Sequence, residues 1–206
     1  GETKDITVGV SLPSLNSKFF EAELFAIEQY CKEKGIKCIS VVADGDVVKQ
    51  KSQIEDLISQ GVNAMIIVQQ DKDAIVSSLE DCKKAGVYTI CMGRMPSDET
   101  NMDVAVLCDN YECARVDVDS MIAAAKEYGY ESLKVIELVG KLSDQNAFER
   151  SDAFKKYAEE SDFDIEVVAE VATEWNVDTA YARMTDTVNM TPDFNAVYIP
   201  ADTYIT

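Results

Sequence analysis

The residues able to do chemistry in this chain are few, and several of them cluster beside apolar runs. A polar loop, Ser14-Leu15-Asn16-Ser17, follows the first such run and leads into two adjacent aromatics, Phe19 and Phe20. Arg94 stands just past the end of another apolar run, and Arg150 near the start of a helical pattern. The single tryptophan, Trp175, follows a third run and precedes Asn176. Histidine is absent, and no serine or cysteine has an evident base partner, so a nucleophilic triad has nothing to work with. No G-x-G-x-x-G follows the first run and no P-loop lysine motif occurs, which leaves nucleotide cofactors without a cradle. The acids Asp44, Asp71 and Asp202 lie at run ends, where solvated loop carboxylates are commoner than catalytic ones.

Six cysteines, Cys31, Cys38, Cys82, Cys91, Cys108 and Cys113, include no C-x-x-C pair, so a structural zinc site finds little support and no metal is expected. Cys38 and Cys91 fall in strand patterns and Cys31 and Cys82 on apolar helix faces, where cysteine behaves as a small hydrophobe. Disulfides stay open, because connectivity is not readable from spacing. With 38 acidic against 19 basic residues the net charge is −19, a surface that repels phosphate backbones and anionic lipid. Nucleic acid is therefore not an expected partner. No apolar run approaches the ~20 residues of a membrane helix. The opening GETKD lacks the pattern of a signal peptide, and Gly1 is compatible with an export signal already removed.

The elements that must position these residues follow a repeated punctuation. Helical patterns end in a glycine followed by an apolar residue that opens a strand, at Gly35-Ile36, Gly61-Val62, Gly86-Val87 and Gly129-Tyr130. The first strand contains Ile6, Val8 and Val10, and the helix after it carries Phe20, Leu24, Ile27 and Cys31 on one face. Further strands are expected at 37–43, 64–68 and 87–92, alternating with helices, which means βαβ units and a parallel sheet. After Met92 a polar segment, 93–103, breaks the rhythm before a short strand at 104–107.

Asp109-Asn110 opens a new helix, with Asn110 the expected N-cap. Strands at 133–139, 165–171 and 196–199 then alternate with helices at 147–158 and around Val177 to Val188. The reading is an α/β chain of two lobes, 1–108 and 109–206, the second with only three strands. An unfinished sheet leaves an unpaired edge and an uncovered apolar face, so self-association or completion by further chain is expected.

Along almost all of its length the sequence resembles the periplasmic sugar-binding proteins of the ribose-binding type and the effector lobes of related repressors. The pieces that carry the likeness are LNSKFF (15–20), GVNAMII (61–67), CDN (108–110), KVIEL (134–138) and FER (148–150). The resemblance implies two doubly wound parallel-sheet lobes with a ligand cleft between them, the second lobe incomplete here. It implies an extracytoplasmic solute-binding protein that closes on a monosaccharide or related polyol for the permease of an ABC importer, without a cofactor. A ligand-sensing lobe of a regulator or membrane sensor is the alternative, and an enzyme on a doubly wound fold the third.

Carried over by position, Phe19 and Phe20 would pack on one face of a sugar ring and Trp175 on the other, with apolar C–H faces against aromatics and hydroxyls at a polar rim. Arg94 and Arg150 would fork onto ring and hydroxyl oxygens. Asn16, Ser17, Gln69 and Asp202 would hold hydroxyls. The bland alternatives are a staple or core role for the phenylalanines, a surface loop for Trp175, and pairing of Arg150 with Glu149 or Asp152. Two positions depart from the ribose type, Gly93 where an aspartate is usual and Ala201 where an asparagine is frequent. The site loses a carboxylate and an amide, so the expected ligand is a larger or carboxylated sugar rather than free ribose.

Overall fold

The computed structural model describes residues 6–142, 144–201 and 204. Strand and helix alternate through most of the chain because the sequence alternates β-branched runs with amphipathic stretches, four of them closed by glycine. The four expected helix stops all take left-handed backbone, with φ of +67° at Gly35, +77° at Gly61, +72° at Gly86 and +77° at Gly129. Only glycine enters that region without a steric penalty at Cβ.

The chain divides into two compact units, Gly1–Leu107 and Cys108–Thr206. In the first, β1 (Thr7–Leu12), α1 (Lys18–Lys34), β2 (Lys37–Val42), α2 (Val47–Ser59), β3 (Ala64–Ile67), α3 (Ile75–Lys84), β4 (Tyr88–Met92) and β5 (Val104–Val106) follow one another. Every strand pair is parallel, in the order β2-β1-β3-β4-β5. One face packs Ile54, Leu57, Met65, Ile67 and Leu79. On the other, Val10, Leu12 and Val68 meet Phe20, Leu24 and Ile27 of the first helix stripe. Coverage on both faces is what a parallel sheet requires.

The second unit runs α4 (Asn110–Glu127), β6 (Ser132–Val139), α5 (Gln145–Glu160), β7 (Asp164–Ala172), α6 (Val177–Met190) and β8 (Ala196–Tyr198). Its described strands pair in parallel as β7-β6-β8. Between Val135 and Ile136 the register to β7 slips by one residue, a bulge that leaves Val168 unmatched. One core face holds Val118, Leu133, Val135 and Phe154, with the Phe154 ring stacked on Tyr198 at 4.0 Å between centroids. The other gathers Ile136, Leu138 and Val171 with Met184 and Phe194. Element limits fall within one or two residues of the sequence reading for most strands.

Among the described residues, one carboxylate lies wholly inside this unit. Glu137 on β6 is fully buried, with Lys155 Nζ 3.5 Å from its oxygen and Lys155 also held by Glu170 at 2.7 Å. Burial pushes the Glu137 pKa up, and Ser151 and Lys155 pull it partly back. The folded chain therefore holds this proton more tightly than the unfolded chain, whose value lies near 4.5. Stability from this group is full below that value and is lost as pH rises through the folded pKa. Glu137→Gln is expected to flatten that part of the stability-versus-pH profile, so that stability at neutral pH stays closer to its value at pH 4 than in the parent protein. Denaturant melts of both proteins from pH 4 to pH 8 check this, and an unchanged profile would assign the titration to another group.

Candidate ligand-binding site

Parallel strands put all their carboxyl ends on one edge, and ligands bind where strand order reverses. In the first unit the reversal lies between β1 and β3, since β2 extends the sheet on one side and β3 to β5 on the other. In the second it lies between β6 and β8. The expected site residues of the first unit follow β1, β3 and β4, and those of the second follow β6, β7 and β8.

At the end of β1, Asn16 is exposed and its Oδ1 accepts from Ser14 Oγ at 2.6 Å. Ser17 is the N-cap of α1, its hydroxyl accepting from Phe20 N–H at 3.4 Å. Phe19 is 58% exposed and meets the half-buried Phe20 edge-to-face at 5.5 Å. Phe20 also packs in the core under β1, so its second role is structural, but neither ring is a staple, because the residue before the cap is Asn16. Arg94 places its guanidinium 5.8 Å from the Phe20 ring centre and donates from Nη1 to the carbonyl of Gln69 at 3.0 Å. The Gln69 side chain is buried, and among the described residues neither its Oε1 nor its Nε2 finds a partner. Glu23, one turn beyond Phe20, is partly buried; burial raises its pKa and the Arg94 charge pulls it back.

Sequence reasoning passed over Gln50, which ties these strand ends together. Its buried amide donates to Ser11 Oγ at 3.2 Å and to the Val68 carbonyl at 2.9 Å, and accepts from Gln70 N–H at 2.8 Å. A glutamine on a helix reads as a surface residue, and only the packing of α2 on β1 and β3 reveals the role. The strand-end acids serve the backbone and the surface. Asp71 accepts from the N–H groups of Asp73 and Ala74, and Asp44 pairs with Lys49.

In the second unit Arg150 makes neither ion pair open to it in the sequence. Its Nε donates to Asn110 Oδ1 at 2.9 Å and its Nη1 to the Pro200 carbonyl at 2.9 Å, and its guanidinium lies 5.9 Å from the Trp175 ring centre. Asn110 is therefore not the N-cap of α4. Asp109 caps that helix by accepting from Glu112 N–H at 2.9 Å. The Asn110 side chain is buried instead, its amide donating to Asn146 and Glu149 at 2.9 and 2.7 Å while its oxygen takes the arginine. An asparagine beside a capping aspartate carries no sequence mark of which one caps.

Trp175 is half-buried in a tight turn. Glu174 and Trp175 both have left-handed backbone, with φ of 56° and 54°, and Asn176 N–H closes the turn on the Thr173 carbonyl at 2.9 Å. The corresponding turn after β2 uses Asp44-Gly45, residues suited to that conformation. A bulky residue there is strained by about 1–2 kcal/mol and persists only where its surroundings hold it. They do: Trp175 Nε1 donates to Asp144 Oδ2 at 3.0 Å, and Asp144 also caps α5 through Asn146 N–H. Gly140 lies directly against the indole, where a β-carbon would come within 2.1 Å of Trp175 Cζ2. Asp202 lies outside the described residues.

Residues 8–206 match the family model for the periplasmic binding protein domain. The chain belongs to the periplasmic binding protein family. It is 31% identical over 204 residues to the ribose import binding protein of Bacillus subtilis, covering 98% of this chain and 64% of that protein. It is 27% identical over 197 residues to a D-apiose import binding protein of Actinobacillus succinogenes, covering 95% of this chain and 62% of that protein. The chain thus spans a little under two thirds of these relatives. An ABC transporter periplasmic solute binding protein from Actinobacillus succinogenes 130z with bound D-allose superposes with a TM-score of 0.88 at 20% identity, over 97% of this chain and 71% of that one. A Caulobacter myo-inositol binding protein bound to myo-inositol gives 0.81 at 20% identity, over 93% and 64%. These likenesses establish the binding-protein fold.

For this family member, Gly140→Ala is expected to drive the indole out of its seat. Repacking on that scale costs about 1–3 kcal/mol. Trp175 is the only tryptophan, so its emission reports the change directly, with a shift to longer wavelength expected in the variant. Unchanged emission would mean that the loop yields without moving the ring.

Proposed function

We propose that this chain captures a monosaccharide or related polyol on the outer side of the cytoplasmic membrane and presents it to the permease of an ABC importer, acting as a binder rather than an enzyme. The observation that carries the reading is a matched pair of devices at strand carboxyl ends. Each unit sets one guanidinium over one aromatic ring, Arg94 with Phe20 at 5.8 Å and Arg150 with Trp175 at 5.9 Å. An aromatic face takes the C–H side of a sugar ring, and a fixed guanidinium fork takes its oxygens. Both arginines are already oriented by carbonyl oxygens, of Gln69 and of Pro200, so little rotamer freedom is left to lose on binding. The buried Gln69 amide and the exposed Phe19 support the same reading. The relatives named as import binding proteins point the same way, and the periplasmic description of the family supports an extracytoplasmic location here.

Among the proposed site residues, Asn16, Ser17, Phe19, Phe20, Gln69 and Arg94 serve from the first unit, and Arg150, Trp175 and Asp202 from the second. The residue before Arg94 is Gly93, with left-handed backbone at φ of +71° and no side chain to accept a hydrogen bond. Two arginines with fewer acidic neighbours favour a ligand carrying a carboxylate or additional acceptors.

Titration of the full chain with pentoses, hexoses, cyclitols and uronic acids, followed by Trp175 emission, tests this. One class is expected to give a saturable change, and Arg94→Ala or Arg150→Ala to weaken it about 100-fold, equivalent to about 3 kcal/mol. Silence from every sugar would overturn the receptor reading. Tight saturation by ribose with no response to uronic acids would overturn the carboxylate preference alone.

Self-association is proposed as well, through the β8 side of the second unit. There Tyr128 is 79% and Tyr130 46% exposed beside Met121, Leu133 and Val197, along a strand paired only to β6 among the described residues. Sedimentation at micromolar concentration is expected to show dimers that Tyr128→Lys dissociates, and a monomer at every concentration would remove this proposal.

A further inference from the structure

The start of α4 brings two thiols together. Because Asp109 is the N-cap, Cys108 occupies the position before the cap and Cys113 the fourth helical position. These are the two positions whose side chains meet across a helix entry when they are apolar, the arrangement that fixes the angle of the incoming chain. Here the meeting side chains are both cysteines, with their sulfurs 3.2 Å apart. Both are exposed, whereas Cys31, Cys82 and Cys91 are buried and Cys38 is half-buried. Burial pushes the Cys38 and Cys82 thiols up to about 12 and Cys91 to about 11, which keeps them protonated and inert.

We propose that Cys108 and Cys113 form a redox-active dithiol that closes to a disulfide across the entry of α4. A disulfide requires the sulfurs to approach by roughly 1 Å from their present separation, a movement within reach of χ1 and χ2 adjustments at an exposed helix end. The step balances with a small disulfide such as oxidised glutathione as electron acceptor. The Cys108 thiolate attacks one sulfur of glutathione disulfide and forms a mixed disulfide while one glutathione thiolate leaves. The Cys113 thiol loses its proton, and its sulfur attacks Cys108 Sγ and expels the second glutathione. Two protein thiols give up two electrons and two protons, and one glutathione disulfide becomes two glutathione thiols. Cys113, whose pKa the hydrogen bond shared with Cys108 and burial push up to about 11, is taken as the resolving partner.

The ring so formed encloses Asp109, which caps α4, and Asn110, which anchors Arg150. Closing it restrains the unfolded chain and fixes the first turn of α4. That consequence for the fold stands whether or not the sugar-receptor reading holds.

The tryptic peptide Met95–Arg115 contains both cysteines and no other, so mass spectrometry reads the state of this pair alone. The full chain is equilibrated in glutathione redox buffers, unfolded, alkylated and digested. The expected peptide from the oxidised sample is two hydrogens lighter and carries no alkyl group, while the other four cysteines are alkylated. The oxidised protein is also expected to melt several degrees higher than the reduced one. Both effects should vanish in Cys108→Ser and in Cys113→Ser. Persistent double alkylation of this peptide, glutathione retained separately on each cysteine, or pairing of either with one of the other four would overturn the proposal.

Discussion

The structure depends on one geometric constraint, the parallel hydrogen bonding of its strands. A parallel pair has to be joined by a crossover, and here the crossovers contain helices except between β4 and β5, where residues 93–103 make the return, so every return of the chain starts from the same edge of the sheet. That alone collects the loops after β1, β3 and β4 in one unit and after β6, β7 and β8 in the other. The residues proposed to touch the ligand are spread from Asn16 to Asp202 in sequence. The direction of the strands, rather than any local motif, gathers each unit's share of them along one edge.

Buried polar side chains then hold those loop edges in place. Gln50 ties the ends of β1 and β3 through three hydrogen bonds, and Asn110 ties α4 to α5 through three more. In a low-dielectric interior such bonds are directional and costly to break, so they transmit position to the side chains they hold. Arg150 inherits its orientation from Asn110 and Pro200, and Trp175 from Asp144 and Gly140. Each of these supports is itself a capping residue, a residue beside a cap, or a strand-end residue. The groups that end regular structure are therefore also the groups that aim the proposed site residues.

The two units solve the strand-to-helix turn in the same way and differ in what they place there. After β2, Asp44 and Gly45 take left-handed backbone and lead to the capping Asp46; after β7, Glu174 and Trp175 do so and lead to the capping Asn176. A tryptophan in place of a glycine is a local conflict with backbone preference. Conflicts of this kind survive where a surrounding structure compensates and a function benefits.

The sequence by itself determined the fold class, the glycine helix stops, the alternation of strand and helix and the family likeness. All of these follow from local properties: periodicity of apolar residues, left-handed tolerance of glycine, and short motifs. It also singled out Arg94, Arg150, Phe20 and Trp175 as residues to watch. What tertiary structure decided was the partner of each polar side chain. Asp109 rather than Asn110 caps α4, Gln50 is buried rather than exposed, and Arg150 bonds an asparagine and a carbonyl instead of the carboxylates beside it in sequence. A hydrogen bond is chosen among all groups that packing brings within about 3 Å, many of them dozens of residues away. A linear pattern names the donors and acceptors and leaves their pairing to the folded chain.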